Sequence, residues 1–242
     1  MNGHNCELNE EIRNPSNEPE VSEYIWNIAK IPEVWQELSN LSHNGEDDIS
    51  KKDNNNFETS FKHNFDVAGI AEEFADCHGC SQRDKRVFIT AALLHDIGKV
   101  EVDPKILTSK EKISEHDWKK ISQHPGEGWK ICQRIAANLD DPEMKKEMSN
   151  IIAEIVLRHH FYVETGGYPP VEYLHIKEEP DEERLVKDLA EKISMFDVFD
   201  AIVSKRSYNQ SIDKNMEEVR DILNSKFPDQ VDVTEFLVNN FK

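Results

Sequence analysis

The sequence predicts an all-α protein, and three observations carry that expectation. Apolar residues recur at helical spacing in one segment after another. Several of these segments are preceded by helix-start signals, namely Pro32, Pro125 and Pro142 at first-turn positions and Ser114 with Asp117 three residues on. Stretches rich in Gly, Asn and Pro separate them. A chain of 242 residues with 37 % hydrophobic content is long enough to bury one good-sized core.

Residues 1–20, rich in Asn, Glu and Pro, lack apolar periodicity and predict a disordered tail. Residues 21–56 predict a short helical extension and linker. Val21 to Lys30 and Glu33 to Leu41 form two helices that bury Ile25, Ile28, Val34, Trp35, Leu38 and Leu41, and a Gly/Asp/Asn-rich loop follows. The main domain, 57–242, starts with a helix to about Cys77, patterned by Phe61, Phe65, Ala68, Ile70, Ala71 and Phe74. His63 lies in it as a surface or half-buried histidine. Cys77-His78-Gly79-Cys80 has no second CxxC and no βαβ context, so it reads as a loop after that helix.

Arg83 to His95 is apolar almost all round, which predicts a helix through the core with His95 and Asp96 at its buried end. Past a loop carrying Pro104, a helix from Glu115 to about Gln123 ends at His124, and Pro125 opens the next. From Pro142 one long helix runs through Met144, Met148, Ile151, Ile152, Ile155, Val156 and His159 on a single face. Residues 161–183 predict an irregular loop. Arg184 to about Lys205 buries Leu185, Leu189, Ile193 and Phe196 with Asp197 and Asp200 on the same stripe, and Lys214 to Phe227 and Val233 to Phe241 close the chain.

The formal charge of −19, from 29 basic and 48 acidic residues, disfavours binding to nucleic-acid polymers or anionic membranes. A small anionic substrate remains compatible if metal supplies local positive charge. No apolar run reaches the roughly 18 residues of a membrane span, and Met1 to Pro19 lacks the order of a signal peptide, so a cytoplasmic protein is expected. Cys6, Cys77, Cys80 and Cys132 are too scattered for a disulfide framework.

His95-Asp96 alone reads as a helix cap or a satisfied core pair. His159 and His160, adjacent at the buried end of a helix, need something that uses their lone pairs. Asp197 and Asp200 on an apolar stripe need a metal, an arginine or a backbone cap. Together His63, His95, Asp96, His124, His159, His160 and Asp197 exceed the roughly four ligands of a single zinc, which predicts a binuclear centre with Asp96 as bridge.

His63, Leu94-His95-Asp96-Ile97-Gly98-Lys99, Pro104 with Ile106-Leu107, His124-Pro125 with Gly128, His159-His160, Gly167-Tyr168-Pro169 and Phe196-Asp197-Val198-Phe199-Asp200-Ala201 resemble the HD-GYP subgroup of HD-domain phosphohydrolases over about residues 57–210. The resemblance implies an HD-domain helical bundle that hydrolyses cyclic di-GMP or a related cyclic dinucleotide. It implies two divalent ions, iron or manganese first, with zinc, nickel or cobalt as alternatives. His63, His95, Asp96 and Asp197 would hold one ion, and Asp96, His124, His159 and His160 the other, the two sharing a hydroxide. Lys99 would stabilise phosphoryl charge, Tyr168 would shape the loop over the site, and Arg206 and Tyr208 would contact phosphate.

Three features depart from the pattern. Phe161 stands where the family carries glutamate, Glu164-Thr165 replace an Asp-Gly pair, and Thr59 occupies the position of the glutamate found in trinuclear members, which favours two ions. A phosphohydrolase for another phosphoester is one competing reading. A non-catalytic signalling module that binds a protein partner through its acidic surface is another, and a homodimer is compatible with each of these readings.

Overall fold

The computed structural model describes residues 22–43, 55–107, 109, 111–161, 167–169, 179–204 and 215–241, with side chains omitted at 42–43 and 55–60. The expected tail, the linker after residue 43, Glu164, Thr165, Arg206 and Tyr208, and the side chain of Thr59 lie outside what is described. Among the described residues the regular structure is entirely helical, in agreement with the expected bundle. The helices are α1 (Glu23–Ala29), α2 (Pro32–His43), α3 (Asn55–Cys77), α4 (Gln82–Leu94), α5 (Pro104–Leu107), α6 (Glu115–Ile121), α7 (His124–Asn138), α8 (Pro142–Glu147), α9 (Ala153–Arg158), α10 (Pro180–Val203), α11 (Met216–Lys226) and α12 (Val231–Asn240). None is long and apolar enough to cross a membrane.

The antiparallel pair α3 and α4 forms the centre, α10 packs across α3 and α9, and α7 lies against α9. Phe65, Phe74, Phe88, Ile89, Leu93, Ile155, Ile193 and Phe196 fill the space between them. Ile25, Ile28, Val34, Leu38 and Leu41 of α1 and α2 join the same core, and the Trp26 and Phe65 rings lie 5.0 Å apart. Trp35, expected inside, is 41 % exposed at the edge of this aromatic cluster. Cys77 ends α3, and Gly79, at φ +64°, turns the chain towards Cys80, as expected of a loop after a helix.

Two helix expectations require correction. The single helix from Pro142 is interrupted by a π turn, Met148–Ile152, between α8 and α9. α9 is then buried on every side against α4, α7 and α10, so Glu154 and Arg158 lie in the interior. They are paired there: the Trp129 indole donates to Glu154 at 2.9 Å, and Arg158 bonds Glu154 at 3.4 Å and Glu183 at 2.6 Å. α10 also begins at Pro180, four residues before the expected start. Pro180 sits at its first position, and Asp181, Glu182 and Glu183 fill a first turn where the helix dipole favours negative charge. The acidic run is a helix start, not loop.

Immediately after Asp96 the chain makes a 3-10 turn, Ile97–Glu101, that packs against the start of α7. Contact there is backbone to backbone. A Cβ on Gly98 would fall on the carbonyl oxygen of His124 and 2.5 Å from the Gly128 nitrogen, and one on Gly128 would stand 2.8 Å from Val156. Gly98→Ala is therefore expected to cost at least about 3 kcal/mol, read as a lower urea midpoint, because backbone must move on one side or the other.

On α3, Glu73 has a buried carboxylate oxygen without a hydrogen-bond partner. Burial, and then the charges of Glu72 and Asp76, push its carboxyl up from 4.5 to about 7. The folded state thus binds this proton more tightly than the unfolded chain. Its stabilising contribution is complete below about pH 4.5 and is lost as pH rises through about 7. Glu73→Gln should melt about 2 °C above wild type at pH 8, with the gap closing towards pH 5 in thermal scans.

Candidate metal centre

Each chemically important side chain sits at a helix end or on a buried face. His95 is the C-terminal cap of α4, Asp96 opens the 3-10 turn, His124 begins α7, His159 caps α9 with His160 next, and His63 and Asp197 come from the facing sides of α3 and α10. His63, His95, Asp96, His124 and His159 are all buried. Burial of His63 corrects its reading as a surface or half-buried histidine: α10 packs over that part of α3.

A repeated local bond sets the direction of three imidazoles. Nδ1 of His95 lies 2.7 Å from the Ala92 carbonyl oxygen, that of His124 2.8 Å from Ile121, and that of His159 2.7 Å from Val156. Each carbonyl belongs to the residue three positions earlier, whose oxygen is left over at the end of a helix or turn. A carbonyl accepts only, so Nδ1 carries the proton and Nε2 presents its lone pair inwards.

Those lone pairs converge on acceptors. Nε2 of His124 is 3.2 Å from Nε2 of His159 and 3.1 Å from Oδ1 of Asp96. Burial pushes His124 below its ordinary range and takes His95 down to about 3, so these rings resist the extra proton that would relieve the clash. Nε2 of His95 and Oδ1 of Asp96 are buried without a hydrogen-bond partner. Electron pairs arranged in this way, mixing imidazole and carboxylate, fit a divalent cation.

Asp96 lies between two groups. Its Oδ1 faces His124 at 3.1 Å and His159 at 3.8 Å, while its Oδ2 faces His95 at 3.6 Å and His63 at 3.9 Å and also accepts from Lys99. Burial would raise this carboxyl; the Lys99 charge, then His95 and its neighbours, hold it well below the usual carboxylate range. Ligand atoms of Asp96, His124, His159 and His160 lie within 4.8 Å of one another, as do those of His63, His95 and Asp197. The fold therefore brings together all seven residues singled out from the sequence, in two clusters.

Asp200 was legible only as a carboxylate in need of a partner, and the partner is His63. The ring bonds Asp200 through Nδ1 at 2.6 Å and Asp197 through Nε2 at 2.9 Å. Burial alone would lower the His63 pKa; Asp197 and then Asp200 outweigh it and raise it to about 9. Burial likewise opposes the ionisation of Asp197, yet the His63 bond holds that carboxyl below its usual range. Two residues went unnoticed in the sequence. Asn64 donates to the Leu93 carbonyl at 2.9 Å, tying α3 to the end of α4, and Ser194 donates to the His159 carbonyl. Asn64 had a signal, since it lies three residues from Phe61 and four from Ala68 on the apolar stripe.

Tyr168 is held over the cluster of Asp96, His124, His159 and His160. Its N–H donates to the His160 carbonyl at 3.0 Å, and its ring centroid lies 4.8 Å from that of His160 and 6.1 Å from that of His124. Asp200→Ala removes an orienting partner of His63 without removing a residue of either cluster. It should weaken metal binding by about tenfold to a hundredfold, measured by chelator competition, with the far-UV circular dichroism unchanged.

The HD domain family model matches residues 60–195. The cyclic di-GMP phosphodiesterase response regulator RpfG of Xanthomonas campestris pv. campestris (strain 8004) is 29 % identical over 145 residues, covering 60 % of this chain and 33 % of the relative. A 3'3'-cGAMP-specific phosphodiesterase 2 of Vibrio cholerae is 28 % identical over 142 residues, 59 % of this chain and 24 % of the relative. A cyclic di-GMP phosphodiesterase of Thermotoga maritima is 28 % identical over 151 residues, 61 % of this chain and 35 % of the relative. The chain thus spans about a third or less of the length of these relatives. With the matched segment taking in His63, His95, Asp96, His124, His159 and His160, this chain belongs to the HD domain family.

Proposed function

We propose that this chain is a metal-dependent phosphodiesterase of a cyclic dinucleotide. The observation that carries the reading is one buried carboxylate, Asp96, with an oxygen turned to each of two clusters of inward-facing ligand atoms. The names of the relatives, phosphodiesterases of cyclic di-GMP and of 3'3'-cGAMP, supply the substrate class. In this reading His63, His95, Asp96 and Asp197 hold one ion, and Asp96, His124, His159 and His160 the other. Iron and manganese suit the mixture of imidazole and carboxylate, and zinc, nickel and cobalt also take imidazole.

Ions bound there would supply an activated water near neutral pH and the positive charge that an anionic substrate needs in a chain of net charge −19. The chain's own groups do the positioning. The Nδ1 bonds of His95, His124 and His159 hold their rings in one tautomer and one direction. Lys99, anchored on Asp96 and 22 % exposed, offers its ammonium group to phosphoryl oxygens as their charge grows. Tyr168 covers His160, and Arg206 and Tyr208 would add contacts to phosphate.

Phe161 favours a second reading, hydrolysis of a different phosphoester, because it sets an apolar side chain beside His160 where the resembled subgroup carries glutamate. Full-length protein loaded with manganese, iron or zinc and incubated with cyclic di-GMP and cyclic GMP-AMP should give linear or mononucleotide products on chromatography. Intact substrate under all three metals overturns the cyclic-dinucleotide reading, and turnover of monophosphates alone establishes the second.

A further inference from the structure

We propose that Trp118 is a stacking platform for a nucleobase of the substrate, an inference that rests on the cyclic-dinucleotide reading above. Trp118 lies on α6, the short helix that leads into His124, and is 48 % exposed. Its ring stands perpendicular to that of Tyr168, at a centroid distance of 5.7 Å and an interplanar angle of 85°. Tyr168 in turn lies against the His160 ring, at 4.8 Å and 36°. An aromatic series thus runs outward from the cluster that contains His160 to solvent and ends on an open indole.

The arrangement fits the shape of the substrate. A phosphodiester drawn to the clusters carries its bases one ribose away from phosphorus, at the distance of the next aromatic shell and not among the ligands. Any base has a π face, and an indole is the largest side-chain surface on which to lay one. Stacking also requires no positive charge, which this acidic chain has little of. The perpendicular contact with Tyr168 restrains an indole that stays 48 % exposed, so less freedom is lost when a base arrives.

A structural role for Trp118 is the alternative that the test must exclude. Ile113 and Trp118 occupy the positions on either side of the Ser114 cap that often pack together at a helix start. Both remain exposed, Ile113 at 47 % and Trp118 at 48 %, so burial at the helix start leaves much of the indole unused.

The experiment compares wild type with Trp118→Ala and Trp118→Phe, as full chains loaded with manganese. KM for cyclic di-GMP is measured beside the inhibition constant of inorganic phosphate, a probe with no base. Trp118→Ala should raise KM about tenfold or more, Trp118→Phe should restore most of the loss, and phosphate should inhibit all three alike. An unchanged KM in Trp118→Ala overturns the stacking role and leaves the phosphodiesterase reading standing. An equal weakening of phosphate overturns it too, since the substitution would then be distorting the ligand clusters. A wild type that is inhibited by phosphate in turnover of a simple aryl phosphate, yet neither binds nor cleaves cyclic di-GMP, overturns the substrate reading and the stacking with it.

Discussion

Buried lone pairs that face one another are the constraint on which the rest of this structure depends. Nε2 of His124, Nε2 of His159 and Oδ1 of Asp96 crowd together within the interior, and burial keeps His124 from taking the proton that would turn repulsion into a hydrogen bond. Such an arrangement is costly for an apoprotein and favourable around a cation, so stability of the centre and capacity for metal are linked through the same atoms. The fold holds these groups in place from behind, through the carbonyls of Ala92, Ile121 and Val156, which the helices leave unpaired at their ends.

Holding the clusters together takes close packing more than chemistry. The 3-10 turn after Asp96 can lie on α7 only because Gly98 and Gly128 carry no side chain at the crossing. Asn64, next to His63 in the chain, ties α3 to the end of α4, and the chain of Trp129, Glu154, Arg158 and Glu183 joins α7, α9 and α10 under the histidine pair. A buried polar chain of this kind is strong when every member is paired and costly when one is removed, which couples the start of α10 to the position of His159 and His160.

Much of the helical pattern was legible in the sequence because each helix repeats its apolar residues every three or four positions, and because Ser114, Pro32 and Pro142 mark starts that the structure keeps. The start of α10 was misread, since an acidic first turn shows no apolar stripe. The π turn at Met148–Ile152 was invisible for the opposite reason: the stripe through Met148, Ile152 and Val156 continues across it.

By itself the sequence determined which residues would need a shared centre. Histidines and carboxylates at helix ends and on apolar stripes are expensive to bury unless they share a task, and seven of them in one chain called for a shared centre. How they divide was already implied by the family resemblance, and only the tertiary structure decided the contacts on which that division rests. The separate directions of the two Asp96 oxygens, the pairing of His63 with Asp200 and the placement of Trp118 beside Tyr168 all join residues far apart in the chain, and spacing along one helix holds no information about them. Periodicity records which face of a helix turns inward, whereas the angle at which two helices cross depends on side chains from both.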